Sequence, residues 1–306
     1  MYPMTWKSPT PTSWLSGYGK RWPEMDQAAR LRKLVIKQQE ERARVIAVSS
    51  GKGGVGKTNI VVNLGLILAR QGQRTLIFDA DLGLANVDIL MGLVPECTIT
   101  EVINGQRDLA EVVVRGPGGL LLIPGASGIQ ELADLDSATR NRLIDDLETL
   151  AREVDVILVD SGAGISQTVF SFAAAAGEAI VVATPEPTSI TDAYGLIKGL
   201  QRLQVRVNLL VNRAINLAEG RQTAQRLQGA CRRFLQLELP LLGIIPEDSH
   251  VGEAVRRQQP FYELYPHCQA ARALEEAAAR INGQEPPPKG NRSFWQRLGR
   301  LLGRKL

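Results

Sequence analysis

Ser50-Gly51-Lys52-Gly53-Gly54-Val55-Gly56-Lys57-Thr58 reads SGKGGVGKT. Gly51, four residues, then Gly56-Lys57-Thr58 fits G-x-x-x-x-G-K-[ST], a pattern that carries meaning only between a strand and a helix. Both neighbours suit it. RVIAVSS (44–50) is a short β-branched run, and NIVVNLGLILARQG (59–72) has helical periodicity that stops at Gly72. In such a loop, glycines let backbone N–H groups close around a phosphate, and the helix N-terminus adds the positive end of its dipole. Lys57 is expected at the β- and γ-phosphates, and the Thr58 hydroxyl on Mg²⁺. Lys52 is a second lysine, one residue after the first glycine, where its side chain should point away from the loop's own phosphates. From position alone it is either a solvated surface lysine or a residue with a second task.

Outward from the loop, short apolar runs alternate with helical stretches. The runs are RTLIFDAD (74–81), GLLLIPG (119–125), VDVILVDSG (154–162), EAIVVATPE (178–186), VRVNLLVN (205–212) and LPLLGIIPED (239–248). Helical patterns fall near 137–152, 166–177, 188–203, 216–236 and 266–282. Near-continuous apolar strands between helices predict an α/β fold, a mostly parallel twisted sheet with helices on both faces. Asp79 and Asp81 end one run and Asp160 ends another. One aspartate at a strand end is often a helix cap; three beside a phosphate loop read as a site for Mg²⁺ and an attacking water.

The overall charge of +4 conceals an uneven distribution. Residues 289–306 carry six Lys/Arg and no acid, and residues 1–44 are +5, which leaves −7 for residues 45–288. An acidic body with basic ends does not suit a core lying along DNA, so specific nucleic acid is not expected as a partner; it suits two terminal contact segments. Cys97, Cys231 and Cys268 are far apart with no C-x-x-C spacing. They read as small buried hydrophobes in a reducing compartment, and a metal-cluster carrier needing paired cysteines is excluded. With no apolar run long enough to span a bilayer and no secretory h-region, the expected location is cytoplasmic.

KGGVGKT, DADLGLANVD (79–88), VDSGAG (159–164), TPEPTSITDAYGLIK (184–198) and IPED (245–248) occur in order and together resemble the deviant-Walker-A ATPases of the MinD/ParA family. The resemblance covers roughly residues 44–282. It implies ATP/ADP and Mg²⁺ as cofactors and an ATP-dependent homodimer in which Lys57 binds nucleotide in its own chain while Lys52 crosses to the partner's nucleotide, as an arginine finger does. Lys52 and Asp81 would be the catalytic pair, Asp81 orienting the hydrolytic water. Thr58, Asp79 and Asp160 would hold Mg²⁺. The nucleotide would be bound by Gly51, Lys52, Gly53, Gly54, Val55, Gly56, Lys57, Thr58 and Asn59. Asn212 would read adenine, with Arg213, Pro246, Glu247 and Asp248 lining the base and Glu186 touching ribose across the dimer. Asp88 and Asp192 read as caps or structural acids.

The two ends narrow the resemblance. MDQAARLRKLVI (25–36) sets Leu31, Leu34 and Val35 beside Arg30, Arg32 and Lys33, an amphipathic lead-in helix by pattern. DQAARLR also resembles the DQAxxLR segment of the FlhG (YlxH) flagellar-regulator branch. There the segment docks on the signal-recognition-type GTPase FlhF and stimulates it, which gives that role here to Asp26, Gln27, Ala28, Leu31 and Arg32. The same branch binds flagellar C-ring proteins of the FliM/FliN/FliY type. Residues 1–24 lack periodicity and read as a disordered stretch or as sequence upstream of a true start at Met25.

Residues 283–290 include three consecutive prolines and read as a linker. Residues 291–306, NRSFWQRLGRLLGRKL, place Phe294, Trp295, Leu298, Leu301 and Leu302 on one helical face and arginines on the rest. That pattern predicts an amphipathic helix on an anionic membrane, peripheral at the inner face of the cell membrane in the ATP dimer. Packing on the protein's own domain is the competing reading. The expected organisation is an activator helix at 25–43, an ATPase domain at 44–282, a linker and a membrane helix. The expected role is control of flagellum number and placement; a cell-division-site or a DNA- or cargo-positioning ATPase is the alternative.

Overall fold

Residues 43–81, 86–125, 137–287 and 292–302 are described in the structure, a computed structural model. β1 (Arg44–Ser50) pairs in parallel with β5 (Val156–Ala163) on one side and β6 (Glu178–Ala183) on the other. Beyond β5 lie β2 (Thr75–Ala80), β4 (Leu121–Ile123) and the two-residue β3 (Val114–Arg115); beyond β6 lie β7 (Arg206–Ala214) and β8 (Leu241–Pro246). All neighbours run parallel except β3, which is antiparallel to β4. Helices cover both faces, so the central strands must be apolar on both. Every residue of β2 and β6 is buried.

One face carries α1 (Lys57–Arg70), the short α2 (Val87–Leu90), α9 (Ser249–Arg256), α10 (Phe261–Leu264) and α11 (Gln269–Asn282). The other carries α3 (Ile99–Ile103), α4 (Leu109–Val112), α5 (Ser137–Ala151), α6 (Gln167–Ala176), α7 (Pro187–Arg202) and α8 (Leu217–Leu235). Local chemistry fixes their starts. Ser166 Oγ accepts from Val169 N at α6, Pro187 opens α7, and Asn216 Oδ1 accepts from Glu219 N at α8. The strands and long helices expected from sequence lie within three residues of these bounds at each end. The elements between 87 and 115 were not expected; each is too short to show a period. No helix among the described residues is long and apolar enough to cross a membrane.

The C-terminal segment departs from expectation. α12 (Phe294–Leu302) is a helix, but its apolar face lies in the domain's own core rather than in solvent. Phe294, Trp295 and Leu298 are 5%, 2% and 2% exposed. Trp295 meets Phe78 of β2 edge-on at 5.0 Å and Phe294 at 4.6 Å. Leu301 is partly buried against the same core, and the side chain of Leu302 lies outside the described set. The helix also approaches α5 closely: a Cβ on Gly299 would come to 2.5 Å from Ile144 Cδ1, the movable end of that side chain. Ser293 caps the helix through Gln296 N and also bonds Glu148 of α5.

The start of the linker is tied down too. Arg44 pairs with the buried Glu178 at 2.7 Å and donates to the carbonyls of Ile281 and Gln284 at 2.6 and 3.2 Å. Arg206 donates to the carbonyl of Glu285. Packing therefore does not divide the chain at residue 282.

Candidate active site

β1 runs straight into the glycine loop, which wraps the N-terminus of α1. Gly56 has φ of 88°, a left-handed conformation that favours glycine, and a Cβ there would meet Asn212 Nδ2 at 2.5 Å. Lys57 follows and points inward. Its side chain is 7% exposed, and Nζ donates to Asp160 Oδ1 at 2.5 Å; Asp160, on β5, is 1% exposed. Asp79 of β2 sits beside Asp160 in the strand register. The Thr58 side chain also helps to hold the Asp160 carboxyl down.

Two buried acids side by side disturb each other. Burial, then the neighbouring Asp160, pushes the Asp79 carboxyl up to about 7, although it accepts backbone N–H groups of Asp81 and Val87. Burial likewise raises Asp160, with Lys57 opposing it. Asp160 Oδ2 is buried without a hydrogen-bond partner. Thr58, Asp79 and Asp160 thus bring hard oxygen donors together, one of them orphaned. Among the described residues no cage of three or more His/Cys/Asp/Glu forms. That donor set fits Mg²⁺, which takes one or two carboxylates and completes its shell with phosphate oxygens and water. Asp81 ends the strand beside them, its N–H on Asp79 Oδ1 at 3.1 Å. Residues 82–85, the middle of DADLGLANVD, lie outside the described set. Asp88 is an acid in the first turn of α2, Oδ1 accepting from Ile89 N at 2.8 Å.

Lys52 has the opposite environment from Lys57. It is 40% exposed, and Nζ donates to Glu186 at 2.7 Å and to the Thr188 hydroxyl at 3.1 Å. The Lys52 ammonium holds the Glu186 carboxyl below its usual range. An exposed pair of this kind is weak and readily exchanged. Glu186, expected at a ribose, is thus the partner of Lys52 within one chain. Thr188 was missed in the sequence, since a hydroxyl one residue after a proline gives no periodic signal.

The residues expected at the base do converge. Gly54, Asn59, Asn212, Arg213, Pro246 and Glu247 share a cleft of about 1310 Å³, its open mouth included. Asn212 Nδ2 donates to Val55 O at 2.8 Å, which orients the amide against the loop. Arg213, at φ of 58°, lies 3.9 Å from Glu247. Asp248 lines the cleft, but its carboxylate caps α9 at His250 N and accepts from Ala270 N at the start of α11. These bonds fix the loop that forms this wall of the cleft. Val251, Arg256 and Phe261 complete the wall, and only the assembled helices reveal them. Asp26, Gln27, Ala28, Leu31 and Arg32 lie outside the described residues.

Comparison with known proteins agrees with this geometry. The family profile described as CobQ/CobB/MinD/ParA nucleotide binding domain matches residues 46–261. Antiactivator FleN of Pseudomonas aeruginosa is 43% identical over 256 residues, 82% of this chain and 91% of that one. Flagellum site-determining protein YlxH of Helicobacter pylori is 35% identical over 267 residues, 85% and 91% of the two chains. Among solved structures, septum site-determining protein MinD of Pyrococcus horikoshii, complexed with Mg-ADP, superposes with a TM-score of 0.64 at 26% identity, covering 78% of this chain and 96% of that one.

Proposed function

The chain belongs to the CobQ/CobB/MinD/ParA nucleotide-binding family and is a P-loop ATPase of the MinD/ParA type, and from that premise we propose that it is a dimerising ATP switch regulating flagellum number and placement. The observation that carries the switch is the contrast between the two loop lysines, one buried on Asp160 and the other in a weak surface pair with Glu186. Lys57 exchanges Asp160 for the β- and γ-phosphates of its own nucleotide. Lys52 leaves Glu186 and Thr188 and reaches the nucleotide of a second copy, neutralising charge that builds on the leaving phosphate. Asp81 orients the water, and Thr58, Asp79 and Asp160 hold Mg²⁺. When bound, Mg²⁺ supplies a charge clamp on the phosphate oxygens. Glu186, released from Lys52, becomes free to meet the partner's ribose.

Membrane cycling gains a structural requirement. Because the apolar face of α12 is buried in the core, the helix must leave its seat before it can enter an anionic bilayer at the inner face of the cell membrane. Trp295 Nε1 has no protein acceptor and borders a cavity under the helix.

The flagellar reading is supported by similarity to YlxH and FleN together with DQAARLR at 26–32. Asp26, Gln27, Ala28, Leu31 and Arg32 would stimulate GTP hydrolysis by FlhF, and the folded domain would bind C-ring proteins. Adding the full-length protein to FlhF from the same organism should accelerate GTP hydrolysis, and Gln27→Ala should abolish the gain while sparing ATPase activity. No acceleration by the wild type would leave a MinD-type ATPase with another client.

A further inference from the structure

The carboxyl ends of α7 and α8 carry an apolar, arginine-rich surface that the nucleotide site does not use. Both helices follow parallel strands and run back along them, so these ends lie at the edge of the sheet away from the glycine loop. They adjoin there, Gln201 Nε2 donating to Leu235 O at 2.6 Å. Leu203, just past α7, is 47% exposed, and Phe234, in the last turn of α8, is 65% exposed. Phe234 is three and seven residues beyond Cys231 and Leu227, both fully buried, so it continues the buried stripe of α8 yet stands in solvent. The Arg233 guanidinium lies over its ring, 5.2 Å from the centroid. Arg202 and Arg233 are exposed, and the nearby acid Glu238 is spent on Arg232 at 2.8 Å.

The surrounding charge runs against that of the body. Residues 187–238 carry eight Lys/Arg and three Asp/Glu, within a 45–288 stretch that is −7 overall. The surface is also continuous with α12: Leu301 shares a cleft with Phe170, Arg202 and Leu203.

Apolar tips flanked by arginines at the end of a helix layer suit the boundary between headgroups and acyl chains. We propose that the ends of α7 and α8, through Leu203, Phe234, Arg202 and Arg233, form a second contact with an anionic membrane, beside α12. This rests on the membrane reading given above. Leu203 has no use for a phosphate or a base edge, and an exposed aliphatic tip in a basic field favours lipid over nucleic acid. The contact is shallow and weak alone. It lies beside α12 of the same copy, sharing a cleft with Leu301, so a modest local affinity adds to that of the helix.

Sedimentation of the full-length protein with ATP on phosphatidylglycerol-containing and on pure phosphatidylcholine vesicles tests this. The wild type should bind the anionic vesicles. Leu203→Ser/Phe234→Ser should weaken that binding by about tenfold, as should Arg202→Gln/Arg233→Gln, which keeps the apolar groups and guards against misfolding. ATPase activity in solution should be unchanged in both variants. Wild-type binding that survives both substitutions overturns the proposal and leaves the membrane reading standing. A wild type that binds neither vesicle overturns both, and capture by duplex DNA instead of vesicles assigns the surface to nucleic acid.

Discussion

Asp79 carries the clearest pH signature of any residue described. Its carboxyl stands at about 7 in the fold against an ordinary 3.8, through burial and the adjacent Asp160. Between those values the folded chain holds a proton that the unfolded chain has released. The contribution to stability is therefore complete below the ordinary value and is lost as the pH rises toward the folded one. We expect the protein without nucleotide to melt at a lower temperature at about pH 8 than at about pH 6. Asp79→Asn should remove Asp79's share of that difference and abolish Mg²⁺-dependent hydrolysis. Mg²⁺ and the proton compete for this carboxylate, so Mg-nucleotide binding should tighten across the same range and release a proton. Calorimetry in buffers of different ionisation enthalpy reads that release; a binding enthalpy independent of buffer would contradict it. Lys52 and Lys57 show what the sequence carried at this scale. Their positions follow from SGKGGVGKT, and the opposite tasks proposed for them come from its resemblance, but the resting partners Glu186 and Asp160 lie 134 and 103 residues away, beyond any local pattern.

At the scale of elements, α12 and the linker before it hold the chain's least legible feature. Phe294, Trp295 and Leu298 repeat at the spacing that a bilayer and a protein core both demand. Periodicity says that one face is apolar; what covers it depends on Phe78, Ile144 and α6, which are distant in sequence. The long strands were readable for the converse reason, since burial on both faces forces an unbroken apolar run, and its short length and β-branched residues mark it as strand. Ile144 gives control of the docked helix. Ile144→Lys replaces an apolar contact of α12 with a charge beside Arg292 and Arg300, and should unseat the helix and raise vesicle binding without ATP several-fold, with Trp295 emission shifting to the red. Unchanged emission and binding would mean that the helix is not held by this contact. Arg44 tests the linker. Arg44→Ala leaves Glu178 buried without its charge partner, which costs about 3–5 kcal/mol in urea unfolding. Adding Glu178→Gln should recover part of that loss, because the two sites share one interaction.

Taken as a whole, the molecule places its nucleotide chemistry along the carboxyl edge of the parallel sheet. The amino edge collects Arg44, the linker and the ends of α7 and α8. On the membrane reading proposed above, nucleotide and lipid would meet opposite edges of one sheet, since Phe294 neighbours Arg44 and Leu301 neighbours Arg202 and Leu203. Two copies meeting over their nucleotides would leave both amino edges free. The central claim is that Lys52 works in trans while Asp81 works in its own chain, and mixing two inactive variants tests it most directly. Lys52→Ala and Asp81→Ala should each bind ATP and each fail to hydrolyse it. Mixed in equal amounts they should recover about a quarter of the wild-type rate, since half the dimers are mixed and each holds one complete site. A mixture as inactive as its components would contradict action in trans.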